Sequence, residues 1–363
     1  MYRPAGVLLV ALVGCHNSSV HPVDTTCCAD SEPATPGETG PPDSEPPGET
    51  DPQDTATPWE RAAFSVVVLP DTQEYAASYP EIFLAQASWV ADQSEQGDIA
   101  FVLHVGDMTD DNSPEQWRVA EQAMGLLEGQ VPYLLNLGNH DMGSGGNAED
   151  RFTRVDDYFP PSRFEDQPWY GGNLDGSNAN YHVAFEAAGM SFLVLSLEFG
   201  PSDDTLAWAS GVIEQHPDHR VILVTHCYLM DDDTRVDSTS GFSPHNYGID
   251  SLGVNDGEEI WDEFASRHEN LFLVLCGHVT GDGSGHLVSQ GVAGNTVHQV
   301  LANHQHEAYG GNGWLRILTF LPDQDVVAVT TYSPVVAEQQ GEDEAYRLDS
   351  EYSFELAYDM SLD

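Results

Sequence analysis

The sequence predicts an α/β fold built on parallel strands. Short apolar, β-branched runs at residues 64–69, 99–105 and 131–135 alternate with helical patterns at 80–96 and 114–128, the pattern of βαβ units. The same runs lead into polar residues of one chemical type, at Asp71, at Asp107 and at Asn139-His140. Sites in open parallel sheets form beyond the carboxyl ends of the strands, so these residues stand where chemistry is expected.

A chain of 363 residues can bury a sizeable core as one large domain or two small ones. It carries 11 basic residues, every one of them Arg, against 60 acidic ones, for a formal charge of -49. Nucleic acid polymers and anionic membrane surfaces are bound by neutralising phosphate, and that balance argues against both as partners. The surface reads as solvated and acidic, and an anionic substrate would have to be drawn in by bound cations.

Residues 1–15 predict an export signal. Arg3 is followed by an apolar stretch at 5–13, too short to span a bilayer, and Leu12-Val13-Gly14-Cys15 ends it. That ending resembles the bacterial lipobox, which implies cleavage and lipidation at Cys15 and a place in the bacterial cell envelope. An ordinary signal peptide cut near Gly14 would keep the export and lose the anchor, for which two or more acyl chains are needed. Residues 16–58 are acidic and rich in Pro and Thr, with an imperfect repeat of Asp-Ser-Glu-Pro and Pro-Gly-Glu-Thr. Such a segment buries too little apolar surface to offset chain entropy and is expected to be a disordered tether. Residues 59–363 are expected to form one folded domain, with no later segment long enough to be a transmembrane helix.

Within that domain Pro80 and Pro114 open the two early helical patterns, where a missing N–H is tolerated. Residues 143–180, rich in Gly, Asp and aromatics, are expected to make a loop and a short helix over the site. Residues 181–186 and 190–197 read as paired strands, 203–215 as a helix, and 220–224 as a strand that ends at Thr225-His226. A polar insert at 231–255 precedes a helix at 258–267 and a strand at 271–275, which runs into Cys276-Gly277-His278. From His286 onward, period-two alternation predicts strands at 296–302, 315–321, 326–332 and 353–358.

Five strand ends therefore carry Asp71 with Gln73, Asp107, Asn139 with His140, His226, and His278. Carboxylates, an amide oxygen and several imidazoles suit borderline divalent metals such as zinc, manganese or iron. A lone strand-end His is more often a core residue than a ligand, but packing gives no reason for five in succession. If the strands are parallel neighbours, these groups converge on one edge of one sheet.

In order and spacing the residues resemble the calcineurin-like metallophosphoesterases, the superfamily that includes the purple acid phosphatases. The family pattern is Asp-x-His, Gly-Asp with an Asp three further on, Gly-Asn-His-Asp or Glu, a strand-end His, and Gly-His-x-His. It is matched by Asp71-Thr72-Gln73, Gly106-Asp107 with Asp110, Gly138-Asn139-His140-Asp141, His226, and Gly277-His278-Val279-Thr280. The resemblance implies two packed sheets flanked by helices and two divalent metal ions, drawn from Zn, Mn, Fe or Ca. It also implies that Asp107 bridges them, that Asn139, His226 and His278 complete one shell, and that Asp71 and Gln73 belong to the other. His140 would neutralise the transition state or protonate the leaving group, and Asp110 would fix its tautomer. Asp141 could share that duty or cap its loop.

Two departures fall on one metal. Gln73 stands where the family usually has His, and Thr280 where the last His of Gly-His-x-His would be. Both are weaker ligands than imidazole for a borderline metal, so that site is expected to prefer a harder ion, bind loosely or stand empty. Pro70-Asp71-Thr72-Gln73 resembles a branch of the family that opens this way. Among Asn303, His304 and His306 a residue such as His304 could reach the weakened metal, although a surface loop is the simpler reading. His104 reads as an interior residue, and Cys227 with Cys276 as either a facing disulfide or two small buried thiols. The function these features predict is an exported, metal-dependent phosphoesterase acting on small phosphate mono- or diesters through a metal-activated water. The alternative is a catalytically weak surface module that uses the same fold for binding or adhesion.

Overall fold

The computed structural model describes residues 62–95 and 97–362. The signal segment with Cys15, the linker at 16–58, Cys27, Cys28 and the domain start at 59 lie outside the described residues. The chain first builds β1 (Phe64–Leu69), α1 (Gln73–Ser78), α2 (Pro80–Ser94), β2 (Ile99–His104), α3 (Pro114–Met124) and β3 (Tyr133–Leu134). It then crosses to a second sheet through α4 (Val155–Tyr158) and α5 (Pro161–Phe164). That part contains β4 (Tyr170–Leu174), β5 (Ser177–Ala187), β6 (Met190–Leu197), α6 (Asp203–Gln215), β7 (Arg220–Thr225), α7 (Gly257–Glu263), β8 (Leu271–Cys276), β9 (Ser284–Gln290) and β10 (Thr296–Ala302). The chain returns with β11 (Leu315–Leu321), β12 (Val326–Tyr332), α8 (Pro334–Gln340), β13 (Tyr346–Arg347) and β14 (Phe354–Ala357).

The first sheet has the order β13-β12-β11-β1-β2-β3, with β14 on β12, and the second β4-β5-β6-β7-β8-β10-β9. Both are mixed: β1, β2 and β3 pair in parallel, as do β6, β7, β8 and β10, while the flanking strands are antiparallel. The architecture is a mixed α/β fold of two sheets flanked by helices.

Alternation along the central strands explains why they read as continuous apolar runs. Val66 and Val68 of β1 face an inner core shared with Ile222 and Val224 of β7, while Val67 and Leu69 face Phe83, Val90 and Trp117 on the helices. On the other side Val221 and Leu223 meet Leu206, Ala209 and Ile213 of α6. Strands covered on both faces have no polar face to show, and each large apolar side chain so buried contributes roughly 1.5–3 kcal/mol. Local chemistry sets the helix starts. Pro80 and Pro114 sit in the first turns of α2 and α3, Ser202 accepts from Thr205 N, and Asp256 and Glu259 form a reciprocal capping box on α7.

Besides α1, α8 and the short β13, which the sequence reading does not include, the structure departs from it in three places. Residues 143–180 hold two short helices and β4, which pairs with the long β5. The strand expected at 131–135 keeps only Tyr133–Leu134, since Pro132 has no N–H to give to β2. The strand ends that carry the polar residues do not share one sheet edge, because β1, β2 and β3 lie in the first sheet and β7 and β8 in the second. Cys227 and Cys276 are free, buried thiols, donating to the Phe242 and Val300 carbonyls.

Candidate metal centre

Asp71, Gln73, Asp107, Asn139 and His140 follow β1, β2 and β3, and His226 and His278 follow β7 and β8. The two sheets are tied together directly below. Asn136 Nδ2 donates across to the Leu197 carbonyl at 2.7 Å and to the Val224 carbonyl at 3.2 Å. Three glycines let the loops close. A Cβ at Gly138 would lie 2.0 Å from Asp107 Oδ1, one at Gly277 2.1 Å from Asp71 Oδ1, and one at Gly106 2.5 Å from His226 Nδ1. Asp107 and His278 themselves hold left-handed backbone, with φ of 50° and 70°. Such conformations cost roughly 1–3 kcal/mol each and persist where the surroundings over-determine them.

Asp107, His226 and His278 are buried, and one ligand atom from each lies within 4.8 Å of the others. His226 Nδ1 donates to the Val105 carbonyl at 2.9 Å, which leaves Nε2 as the free atom, 3.0 Å from Asp107 Oδ2. His278 Nε2 donates to the Phe242 carbonyl at 3.0 Å, which leaves Nδ1. Carbonyl acceptors thus select the tautomer of both rings, as they do for metal-ligating histidines. Asp71 Oδ1, Gln73 Oε1, Asn139 Oδ1 and His226 Nε2 are buried without a hydrogen-bond partner. Buried polar atoms are rarely left so, and these lone pairs are of the kind that would ligate a divalent cation. The residues present fit metal binding.

The electrostatics agree. Burial, with the Asp107 charge adding and His226 opposing, pushes the Asp71 carboxyl up to about 8. Burial alone would raise Asp107 as well, but His226 and His140 outweigh it and hold that carboxyl below the usual range. Two buried carboxylates in one site leave one of them protonated unless a cation neutralises the pair.

His140 is one-third exposed, and its Nδ1 donates to the Asp110 main-chain carbonyl at 2.7 Å, with the Asp110 carboxylate at 3.5 Å. The contact predicted for Asp110 is therefore made mainly by its backbone. Asp141 lies inside the loops. It accepts from Met108 N, Thr109 N, Thr109 Oγ1 and Gly138 N at 2.8–3.1 Å, and so binds the Asp107 loop to the Asn139 loop. His304 is buried with Nδ1 3.2 Å from Glu307 Oε1, and Thr280 is half-buried, its carbonyl accepting from Gly283 N at 2.6 Å. Asn303, which precedes His304, reaches the site instead, with Nδ2 2.8 Å from Asp71 Oδ2. His104 joins the first two loops, sharing a hydrogen bond with Thr72 Oγ1 at 3.0 Å and accepting from Gly106 N at 3.1 Å. Asn136 and His104 were not legible as site residues, whereas Asn303 was one of the three residues weighed for the weakened metal. The positions of His104 and Asn303, two before Gly106 and one after a strand, were the available signals.

A family model for calcineurin-like phosphoesterases matches residues 64–308. YvnB, an uncharacterised protein of Bacillus subtilis (strain 168), is 32% identical over 306 residues, covering 81% of this chain and 22% of its own length. The chain thus spans about a fifth of that relative. A purple acid phosphatase from yellow lupin (Lupinus luteus) seeds superposes with a TM-score of 0.46 at 13% identity, covering 84% of this chain and 55% of that one. The 5'-nucleotidase of Candida albicans does so with a TM-score of 0.37 at 12% identity, covering 76% and 48%. With the family model matched over residues 64–308, which hold β1 to β10 and the loops that carry the site, the chain belongs to the calcineurin-like phosphoesterase family.

Proposed function

We propose that this phosphoesterase is an exported, lipid-anchored, metal-dependent hydrolase of small phosphate mono- or diesters. The observation that carries the metal dependence is the set of four buried, unpartnered ligand-type atoms on Asp71, Gln73, Asn139 and His226, in the segments that follow β1, β3 and β7. Asp107, Asn139, His226 and His278 would hold one divalent cation, and Asp71, Gln73 and the shared Asp107 a second. When bound, such cations draw charge from phosphoryl oxygens and lower the pKa of water.

The chain's own residues supply the rest. The Asp110 carbonyl holds His140 Nδ1, which leaves Nε2 as the atom that gives a proton to the leaving alkoxide. Burial lowers the His140 pKa, but Asp107 and then the Asp110 carbonyl outweigh it, and the net shift is upward, toward the donor form. Among the described residues each Arg is engaged elsewhere, as Arg151 is with Glu198, Arg235 with Glu258 and Arg347 with Glu307. Attraction of an anionic substrate thus falls to the cations and His140, in keeping with small esters and not with nucleic acid polymers.

Metal analysis of the purified protein, with hydrolysis assays on aryl phosphate mono- and diesters, tests the reading. Bound metal, and activity lost in Asn139→Ala and His140→Ala, is expected. A metal-free protein, or variants as active as the parent, would overturn it in favour of a surface module. For the anchor, lipid incorporation should vanish in Cys15→Ser, and its persistence would remove Cys15 as the attachment point.

A further inference from the structure

We infer that the second cation subsite is built from oxygen alone, with Asn303 as its positioning residue, and that it takes a hard divalent cation such as Mn2+, Mg2+ or Ca2+ in place of zinc. The inference rests on the metal dependence proposed above and adds the identity of one ion and the residue that sets its site.

Asn303 follows β10 and is 1% exposed. Its Oδ1 accepts from Gln305 N at 3.0 Å, which fixes which end of the amide faces the site, and its Nδ2 donates to Asp71 Oδ2 at 2.8 Å. The same Oδ2 accepts from His278 N at 3.1 Å. One carboxylate oxygen of Asp71 is therefore committed twice, and the other, Oδ1, is buried with no partner. Gly277 keeps that oxygen open, since a side chain there would meet it at 2.1 Å. Gln73, at the first residue of α1, adds a second buried and unpartnered oxygen.

No imidazole stands at Gln73 or Thr280, the two positions where the family pattern carries one. Asp71 falls outside the group formed by Asp107, His226 and His278. Of the other nearby rings, His104 has both nitrogens in use between Thr72 and Gly106, and His304 turns Nδ1 to Glu307, which Arg347 pairs in turn; His304 Nε2 is buried without a partner, but among the described residues His304 joins no cluster of ligand atoms with Asp71 or Asp107. Carboxylate and carbonyl oxygens suit Mg2+, Ca2+ and Mn2+, whereas imidazole suits zinc. The mixed nitrogen–oxygen group at His226 and His278 and the oxygen pair at Asp71 and Gln73 therefore select different ions. Asn303 does not itself ligate: it spends its donor on Oδ2, so that Asp71 presents a single fixed oxygen.

The test uses the full chain stripped of metal, titrated with Zn2+ and Mn2+ singly and together, with bound zinc read by elemental analysis after dialysis and bound manganese by its EPR signal. The parent is expected to hold one zinc tightly and one manganese beside it. Asn303→Leu should weaken manganese roughly tenfold to a hundredfold, the usual loss on removing a group that orients a ligand, and leave zinc within about twofold. Asn139→Ala should do the reverse. Gln73→His, which adds an imidazole without touching Asn303, should let a second zinc bind, and it serves as the independent variant should Asn303→Leu not fold. Two equally tight zincs in the parent, or unchanged manganese binding in Asn303→Leu, would overturn the inference while leaving the proposed function standing. A parent that binds neither ion would overturn both.

Discussion

The imidazole of His104 and the hydroxyl of Thr72 are 3.0 Å apart, both buried beneath the candidate metal centre. Because Gly106 N donates to His104 Nδ1 at 3.1 Å, the ring proton sits on Nε2 and is given to Thr72 Oγ1. Burial lowers the ring pKa to about 3, so this neutral form holds across the physiological range. The ring is a strut between the Asp71 loop and the Asp107 loop. His104→Leu is expected to leave a buried N–H and a hydroxyl unpaired, at a cost of about 1–3 kcal/mol each. Denaturant unfolding with and without added metal would measure it, and the deficit should be larger with metal present, because both carboxylates move off register.

Asp141→Asn should separate a loop-tying role from a catalytic one. An amide can accept with only one of its two atoms, so the donors of Met108 and Gly138 or those of Thr109 lose their partner. The expected effect is a loss of roughly 1.5–3 kcal/mol for each charge-assisted bond removed. A thermal melt would read it. An unchanged melting temperature with abolished turnover would instead assign Asp141 to the chemistry.

Gly138→Ala tests close approach. The added methyl would fall 2.0 Å from Asp107 Oδ1 and 2.4 Å from Asp107 N, and His140 N donates to that same Oδ1 at 2.9 Å, which ties it in place. Metal content should fall with only about 1–3 kcal/mol of lost stability, the usual range for overpacking.

His140→Ala and Asp110→Asn should differ. Removing a proton donor costs about 10²–10⁴ in rate. Asp110→Asn keeps the main-chain carbonyl that holds His140 Nδ1 and changes only the group at 3.5 Å, so a loss of at most about tenfold in kcat is expected. Steady-state rates on an aryl phosphate would decide it.

The insert at 231–255 should show a pH signature of its own. His245 Nδ1 lies 2.6 Å from Asp250 Oδ1 and Nε2 2.9 Å from Glu259 Oε2, so the ring links the insert to α7. Burial lowers its pKa, but Asp250 and Glu259 more than compensate and the net shift is upward. A pKa raised by folding gives stabilisation that is complete below the unfolded value, near about 6.5, and is lost as pH rises through the folded value. The pairs are partly solvated, which keeps the effect small. The melting-temperature gap between the parent and His245→Gln should therefore be open at about pH 5.5 and close at about pH 9. A gap that widens with pH would reverse the assignment.

The sequence by itself determined which atoms are available to the centre. Asp71, Asp107, Asn139, His140, His226 and His278 were legible because each follows an apolar run, and because a Gly-Asn-His-Asp turn has no use in packing. The central strands and the helices at α2 and α6 were legible for the same local reason, their periodicity and their first-turn residues. Only the tertiary structure decided how those atoms are shared. The assignment of β1 to β3 and β7 to β8 to different sheets rests on long-range pairing, which local patterns do not encode. The ring atoms left free on His226 and His278 depend on carbonyls at Val105 and Phe242, 121 and 36 residues away. Asn303 became a partner of Asp71 across 232 residues, because hydrogen bonds are fixed by where chains meet in space and a sequence lists only what each residue could offer there.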